Sequence, residues 1–213
     1  GERATQPLLI PEHDYEAKGV EDPRVVKIDG LYYLTYTAFD GVSACGALAT
    51  SEDGLHFKKQ GLIVAQMDYE EFTKLAETNG KLDEKYALYN NFNPRLWDKD
   101  IAFFPRRING QLHFLHRIKP HIQVVKVNEL SELTPDFWRD YFLHFEDHML
   151  LKPKYPHEQS YVGAGCPPVE TEHGWLLIYH GVHETKNGYV YVGCAALLDL
   201  ADPQKEIARL PRP

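Results

Sequence analysis

An all-β fold made of repeated antiparallel meanders is predicted by three features of the sequence. Three segments align on a turn glycine: residues 25–36 about Gly30, 105–116 about Gly110 and 169–180 about Gly174. In each, a β-prone run meets the turn, and a second run ends on a polar ring six residues past the glycine, at Tyr36, His116 and His180. Helical periodicity, by contrast, is concentrated in one stretch, residues 66–98. Asp29-Gly30 and Asn109-Gly110 between such runs are hairpin signals, because a type I′ turn needs positive φ at both central residues.

Taken in order, residues 24–28, 31–37, 43–51 and 56–64 read as the four strands of a first meander, with a turn at Glu52-Asp53-Gly54. In 66–98, Asp68 followed by Glu71 reads as a capping box. Tyr69, Phe72, Leu75 and Ala76 share a helical face that Asn79-Gly80 could end, and a second helical stretch runs from Leu82 to Tyr89. This insertion either overhangs a site or elaborates the packing. The second meander comprises 101–108, 111–117, 123–128 and a strand within 141–151. The third starts near Val162 and continues through 175–180 and 189–198. Leu9-Ile10-Pro11 and Leu151-Lys152-Pro153 each precede a unit. Leu210-Pro211 has none after it, which is expected of a partial chain.

Three four-stranded meanders read as about three blades of a β-propeller, with residues 1–213 forming one partial domain. The rival is a sandwich, which would not explain the repetition. In a propeller the first strands surround a central channel. Asp22, Lys99 and Tyr161 near those strands could then converge with Tyr36, His116 and His180 on the second strands. Eight residues before the turn glycine the repeats carry Asp22, Ala102 and Cys166. A requirement of the repeat itself would not single out Asp, so Asp22 is the first candidate for chemistry. Its competing reading is a turn cap before Pro23 with Arg24 as partner.

The chain has 213 residues, a net charge of −8 and ordinary apolar and charged fractions. The negative balance argues against nucleic-acid or anionic-membrane partners, and no apolar run approaches the roughly 18 residues of a membrane span. Cys45, Cys166 and Cys194 are sparse and lack metal-ligand spacing, pointing to a reducing, cytoplasm-like compartment. A periplasmic or secreted location stays open because the chain begins at Gly1. His144 and His148 lack the zincin pattern and are read as part of a strand. Gly163-Ala164-Gly165 has no helix after it, and Arg106-Arg107 reads as a solvated edge.

Longer motifs add a resemblance. Gly19-Val20-Glu21-Asp22-Pro23-Arg24, residues 99–117, Gly163-Ala164-Gly165-Cys166-Pro167-Pro168, residues 175–182 and residues 195–203 resemble, in this order, family 130 of the glycoside hydrolases. These are the β-mannoside phosphorylases and their hydrolytic relatives, which are five-bladed propellers. The resemblance spans nearly the whole chain and implies that a first blade before it and a closing segment after it are missing.

It further implies that Asp22 is the general acid, passing its proton through a hydroxyl of the mannosyl unit to the glycosidic oxygen. Inorganic phosphate then attacks the anomeric carbon from the opposite face, releasing α-mannose 1-phosphate with inversion. Phosphate is thus a co-substrate, and no metal or other cofactor is expected. A phosphate nucleophile needs no general base, only positive charge and donors that hold it. Arg117 and His180 match the family's phosphate cradle. Lys99 stands where the phosphorylases usually place arginine, keeping the charge but losing the bidentate fork. Tyr161 stands where they place lysine, removing a charge. Glu21, Arg24 and His116 are candidate substrate contacts, with Glu21 also able to orient Asp22 or Arg24.

Two other readings compete. A β-mannoside hydrolase would need a second carboxylate about 6.5–9.5 Å from the acid to activate water, for which Glu158 and Asp100 are the candidates. A non-catalytic sugar-binding or interaction propeller fragment would instead expose sheet edges prone to association. The expected partners are a β-mannoside oligosaccharide and phosphate, with homo-oligomerisation left open.

Overall fold

The protein is described by a computed structural model covering residues 5–90 and 95–213. Asp29 and Gly30 (φ 49° and 87°) and Asn109 and Gly110 (φ 52° and 82°) all adopt positive φ, as the Asx-Gly hairpins require. Three antiparallel sheets follow one another along the chain. The first contains β1 (Gly19–Ile28), β2 (Leu31–Phe39), β3 (Ala44–Ser51) and β4 (Lys58–Leu62), in that order. The second contains β5 (Lys99–Phe103), β6 (Leu112–Arg117), β7 (Ile122–Val127) and β8 (Met149–Leu151). In the third, β9 (Tyr161–Ala164) and β10 (Val169–Thr171) both pair with β11 (Gly174–Thr185), which continues to β12 (Gly188–Leu198) and β13 (Glu206–Arg209).

The insertion forms α1 (Tyr69–Ala76), whose N-terminus is capped by the Asp68 side chain accepting from the Glu71 amide, and α2 (Glu84–Asn90). A third helix, α3 (Pro135–Leu143), lies outside the insertion, in a stretch where the sequence reading placed no helix. Its signals are present in the sequence: Thr134 caps it, Pro135 occupies the first turn, and Trp138, Tyr141 and Phe142 are its buried face. Residues 145–148, read above as strand, form a 3-10 turn leading into the short β8. The strand expected over 101–108 ends at Phe103, leaving only an Ile108–Gln111 bridge beside the turn.

Sheet-on-sheet packing explains the apolar pattern. Val26, Ile28, Tyr33 and Leu48 of the first sheet meet Phe103, Leu112, Phe114 and Val125 of the second, joined by Phe72, Tyr86, Phe142 and Phe145 from the helices. The alternate residues of the second sheet, Ala102, Leu115, Ile122 and Val124, face Val162, Trp175, Leu177 and Ala196 of the third. The middle sheet is therefore covered on both sides, and Ile122–Val127 is buried at every position but Lys126. Arg106 and Arg107, expected to be merely solvated, tie sheets together: Arg106 pairs with Glu170 at 2.6 Å and Arg107 with Asp29 at 2.8 Å.

The pairing registers change which residues of the repeats correspond. In the third sheet Thr171 pairs with Gly174, so the two-residue loop is Glu172-His173, and Gly174 matches Leu31 rather than Gly30. Tyr36, His116 and Tyr179 are therefore equivalent, and Thr37, Arg117 and His180 are equivalent one position later. Register shifts between Glu21 and Arg24 on β1, and between Lys99 and Ala102 on β5, place a bulge at the same point of both strands. Asp22 (φ 52°) and Asp100 (φ 58°) open the two bulges. The structural counterpart of Asp22 is thus Asp100, not Ala102 as the ungapped alignment had it. Both turns are two residues long; two extra residues between Phe104 and Ile108, ahead of the second turn, displace the sequence count by two.

Tyr36, His116 and Tyr179 anchor the sheets. Tyr36 donates to Glu16 Oε1 (2.6 Å), whose other oxygen accepts from the amides of Glu12 and His13 and from Lys59 Nζ. Tyr179 donates to Glu158 Oε1, while Oε2 accepts from the amides of Lys154 and Tyr155 and from Arg209. Each glutamate lies five residues after the Pro11 or Pro153 of the Leu-x-Pro signal. In both of these sheets a buried carboxylate thus clasps a ring from the second strand and a cation from the last. In the middle sheet His116 is fully buried, with Nδ1 on Asp98 (2.9 Å) and Nε2 on the Tyr141 hydroxyl (2.7 Å).

Candidate active site

The bulged strands β1 and β5 lie side by side, and β5 also packs against β9, the first strand of the third sheet. Asp22 lies at the rim, its carboxylate half exposed and 3.3 Å from Lys99 Nζ. Arg24, on the far side of the same bulge, crosses to the third sheet, donating to the carbonyls of Gly165 (2.9 Å) and Ala164 (2.8 Å) and back to the Asp22 carbonyl (3.0 Å). Its guanidinium lies 3.7 Å from Asp100 Oδ1.

Asp100 occupies the floor. Arg117 Nε is 3.0 Å from Asp100 Oδ2, but neither atom has an aligned hydrogen-bond partner among the described residues. Burial pushes the Asp100 carboxyl up, yet Arg117, Arg24, His180 and Lys99 together hold it below the usual carboxylate range. It is a fixed anion. Arg117 Nη1 donates to His180 Nε2 at 3.3 Å, so that nitrogen is an acceptor. Burial, reinforced by the cations around it, brings His180 down to about 4 despite Asp100, and the ring is neutral at physiological pH. Gly163 makes this arrangement possible: a Cβ there would sit 2.5 Å from His180 Nε2 and 2.6 Å from Asp100 Oδ2.

The remaining wall is aromatic. Tyr161 is buried, its hydroxyl hydrogen-bonded to that of Tyr191, and its ring carries Arg117 at 5.4 Å and Lys119 at 4.1 Å from the centroid. Tyr89 of α2 and Tyr189 of β12 pack edge-on against it. The insertion thus has both expected roles: α1 packs against α3, while α2 brings Tyr89 to the site.

Among the described residues, His157, Glu158 and Cys194 could approach a metal, with ligand atoms within 4.8 Å of one another. Glu158 is already engaged by Tyr179, Arg209 and two amides, so this donor set does not fit a cation.

A family model described as β-1,4-mannooligosaccharide phosphorylase matches residues 2–213. The chain belongs to glycoside hydrolase family 130. A 1,2-β-oligomannan phosphorylase of Thermoanaerobacter sp. is 34% identical over 99% of this chain and 58% of its own length. A β-1,2-mannobiose phosphorylase of Listeria innocua is 31% identical over 98% of this chain and 48% of its own. The solved structure of the Listeria innocua β-1,2-mannobiose phosphorylase with β-1,2-mannobiose superposes with a TM-score of 0.69 at 27% identity, covering 99% of this chain and 49% of that one. The chain therefore spans about half the length of the curated relatives it matches.

Within this family 130 chain, Asp22, Arg24, Lys99, Arg117, Tyr161 and His180 come together. Glu21 pairs with Thr37 at the start of the bulge and is exposed beside Asp22. His116 does not reach the cluster, because its ring is sealed between Asp98 and Tyr141. The proposed water-activating carboxylates are likewise accounted for: Glu158 is buried in a clasp, and Asp100 is held between two arginines. Sequence reading overlooked Lys119, Tyr89, Tyr189 and Tyr191. Lys119 lies just two residues past the Leu-His-Arg motif, and the tyrosines lie at α2 and at the long β11–β12 hairpin, where no motif marks them.

Proposed function

We propose that the chain carries the acid and phosphate side of an inverting β-mannoside phosphorylase, its three sheets being blades of a five-bladed propeller. The observation that carries the reading is the charge of the cluster. Arg24, Lys99, Arg117 and Lys119 set four cations against the two carboxylates Asp22 and Asp100, leaving two positive charges uncompensated. That surplus matches a phosphate dianion.

Asp22 is the proposed proton source because it alone of the two aspartates opens to the rim. It gives its proton to a mannosyl hydroxyl, which passes its own to the departing glycosidic oxygen while a phosphate oxygen bonds to the anomeric carbon. The product is α-mannose 1-phosphate. Lys99, 3.3 Å from Asp22, is the cation that links the proposed acid to the proposed phosphate site.

A hydrolase would need a free carboxylate facing Asp22, and the arginine contacts of Asp100 and the clasp around Glu158 speak against both candidates. The two relatives described above and the solved structure are named for β-1,2-linked substrates, whereas a relative named for the β-1,4 linkage matches over only 56% of this chain, and we propose the β-1,2 linkage ahead of the β-1,4 linkage in the family description. The free cysteines accord with the proposed reducing compartment.

The test incubates the full-length protein with β-1,2- and β-1,4-mannobiose, with and without inorganic phosphate, and identifies products by mass. Phosphate-dependent mannose 1-phosphate is expected. Free mannose formed equally well without phosphate would overturn the reading.

A further inference from the structure

We infer that Lys119 is a phosphate ligand of this site, supplying the positive charge that Tyr161 withholds. The inference rests on the phosphorylase reading and extends it to a residue that neither the family motifs nor the repeat pattern marks. Tyr161 occupies the start of β9, beside the Gly163-Ala164-Gly165 stretch, and contributes a ring instead of a cation. Lys119 reaches the same place from the end of β6. Its ammonium stands 4.1 Å from the Tyr161 centroid and 5.8 Å from that of Tyr89. The Asn90 amide donates to the Lys119 carbonyl at 3.0 Å, fixing the backbone from which the side chain extends.

The surroundings of this ammonium suit an anion. Among the described residues, Lys119 Nζ has no carboxylate within ion-pair distance and no hydrogen-bond acceptor, although the side chain is largely withdrawn from water. Burial first, then Arg117 and Lys99, bring the ammonium down to about 8, with Asp100 opposing. Cations that repel one another in a half-buried site are stable only if something else gains from their proximity. The two aromatic faces hold the ammonium without neutralising it, because a cation–π contact leaves the charge and all three N–H donors available. A phosphate seated above Asp100 would accept from Lys119 on the Tyr161 side and from Arg117 and Lys99 on the others.

A purely structural Lys119, stacked on Tyr161, predicts something different: its loss would lower stability and leave phosphate affinity alone. The experiment is calorimetric titration of the full-length protein with inorganic phosphate, for the parent, Lys119→Gln and Lys119→Arg, with thermal melts of each. Lys119→Met, which keeps the apolar stem on the ring, replaces Lys119→Gln if the latter does not fold. Neutral substitution is expected to weaken phosphate binding about tenfold or more, and Lys119→Arg to restore most of it. In turnover the neutral variant raises KM for phosphate and leaves KM for the mannoside within about twofold. Unchanged phosphate affinity in the neutral variant overturns this inference while the phosphorylase reading stands. Absence of phosphate binding by the parent overturns both.

Discussion

Asp22 and Asp100 hold the same place in two successive sheets. Each is the first residue of a bulge on the innermost strand, and each has the left-handed backbone that aspartate tolerates better than most residues. What differs is the surroundings. Asp22 touches a single flexible lysine and is half exposed; Asp100 is buried, with Arg117 and Arg24 on its two oxygens and a neutral His180 beside it. The backbone device aims the carboxylate, and the neighbours decide whether it can exchange a proton. Separation of two carboxylates by environment, one labile and one fixed, is a recurring way of dividing roles in an active site.

The comparison is broken most sharply by changing each aspartate to asparagine, which keeps the size and the tolerance for positive φ. Asp22→Asn should reduce kcat about 10³-fold, the scale of general-acid catalysis. Its melting temperature should stay close to the parent's, since partly exposed ion pairs contribute about 0–1 kcal/mol. Asp100→Asn should act in the opposite sense on stability. It leaves Arg117 buried without its anion, and breaking a buried pair costs about 3–5 kcal/mol, readable as a lower urea midpoint. Equal destabilisation by the two substitutions would show that the aspartates are two copies of one structural element.

Much of this was legible in the sequence, and the failures have physical causes. Asp29-Gly30 and Asn109-Gly110 announced their hairpins because only a few residue types accept that backbone. Period-two alternation located most strands, and Asp68 located the start of α1. The equivalence of Asp22 with Asp100 was hidden because two extra residues between Phe104 and Ile108 change the count to the turn while preserving position in the sheet. The α3 helix was overlooked although Thr134-Pro135 opens it, since its aromatic face also suits a strand. In the site, Asp22, Arg24, Lys99, Arg117 and His180 were found through motifs, whereas Lys119 was not. A lone lysine has no spacing signature, and only the aromatic rings beneath it reveal that it is turned inward. His116 shared a repeat position with Tyr36, and the clasp explains both without substrate.

The smallest effect sharpens the contrast through pH. Asp100 is held below the usual carboxylate range: burial raises it, but Arg117, Arg24, His180 and Lys99 outweigh burial. A carboxyl with a depressed folded-state pKa stabilises the protein above its unfolded value, about 3.9, and that contribution is lost as pH falls through the folded value. The stability gap between the parent and Asp100→Asn should therefore persist from neutral pH to about 4 and narrow below it. His180, buried and neutral with its pKa brought down to about 4, has the opposite ionisation to resist. It destabilises the parent and Asp22→Asn alike as pH falls from its ordinary value of about 6.5 toward 4, so the diagnostic window is the more acidic one. Urea midpoints measured across this range should show Asp100→Asn converging on the parent at the acid end. A gap for Asp100→Asn that stays constant into strong acid would mean that the lost stability came from packing around the bulge and not from the charge that Arg117 and Arg24 share.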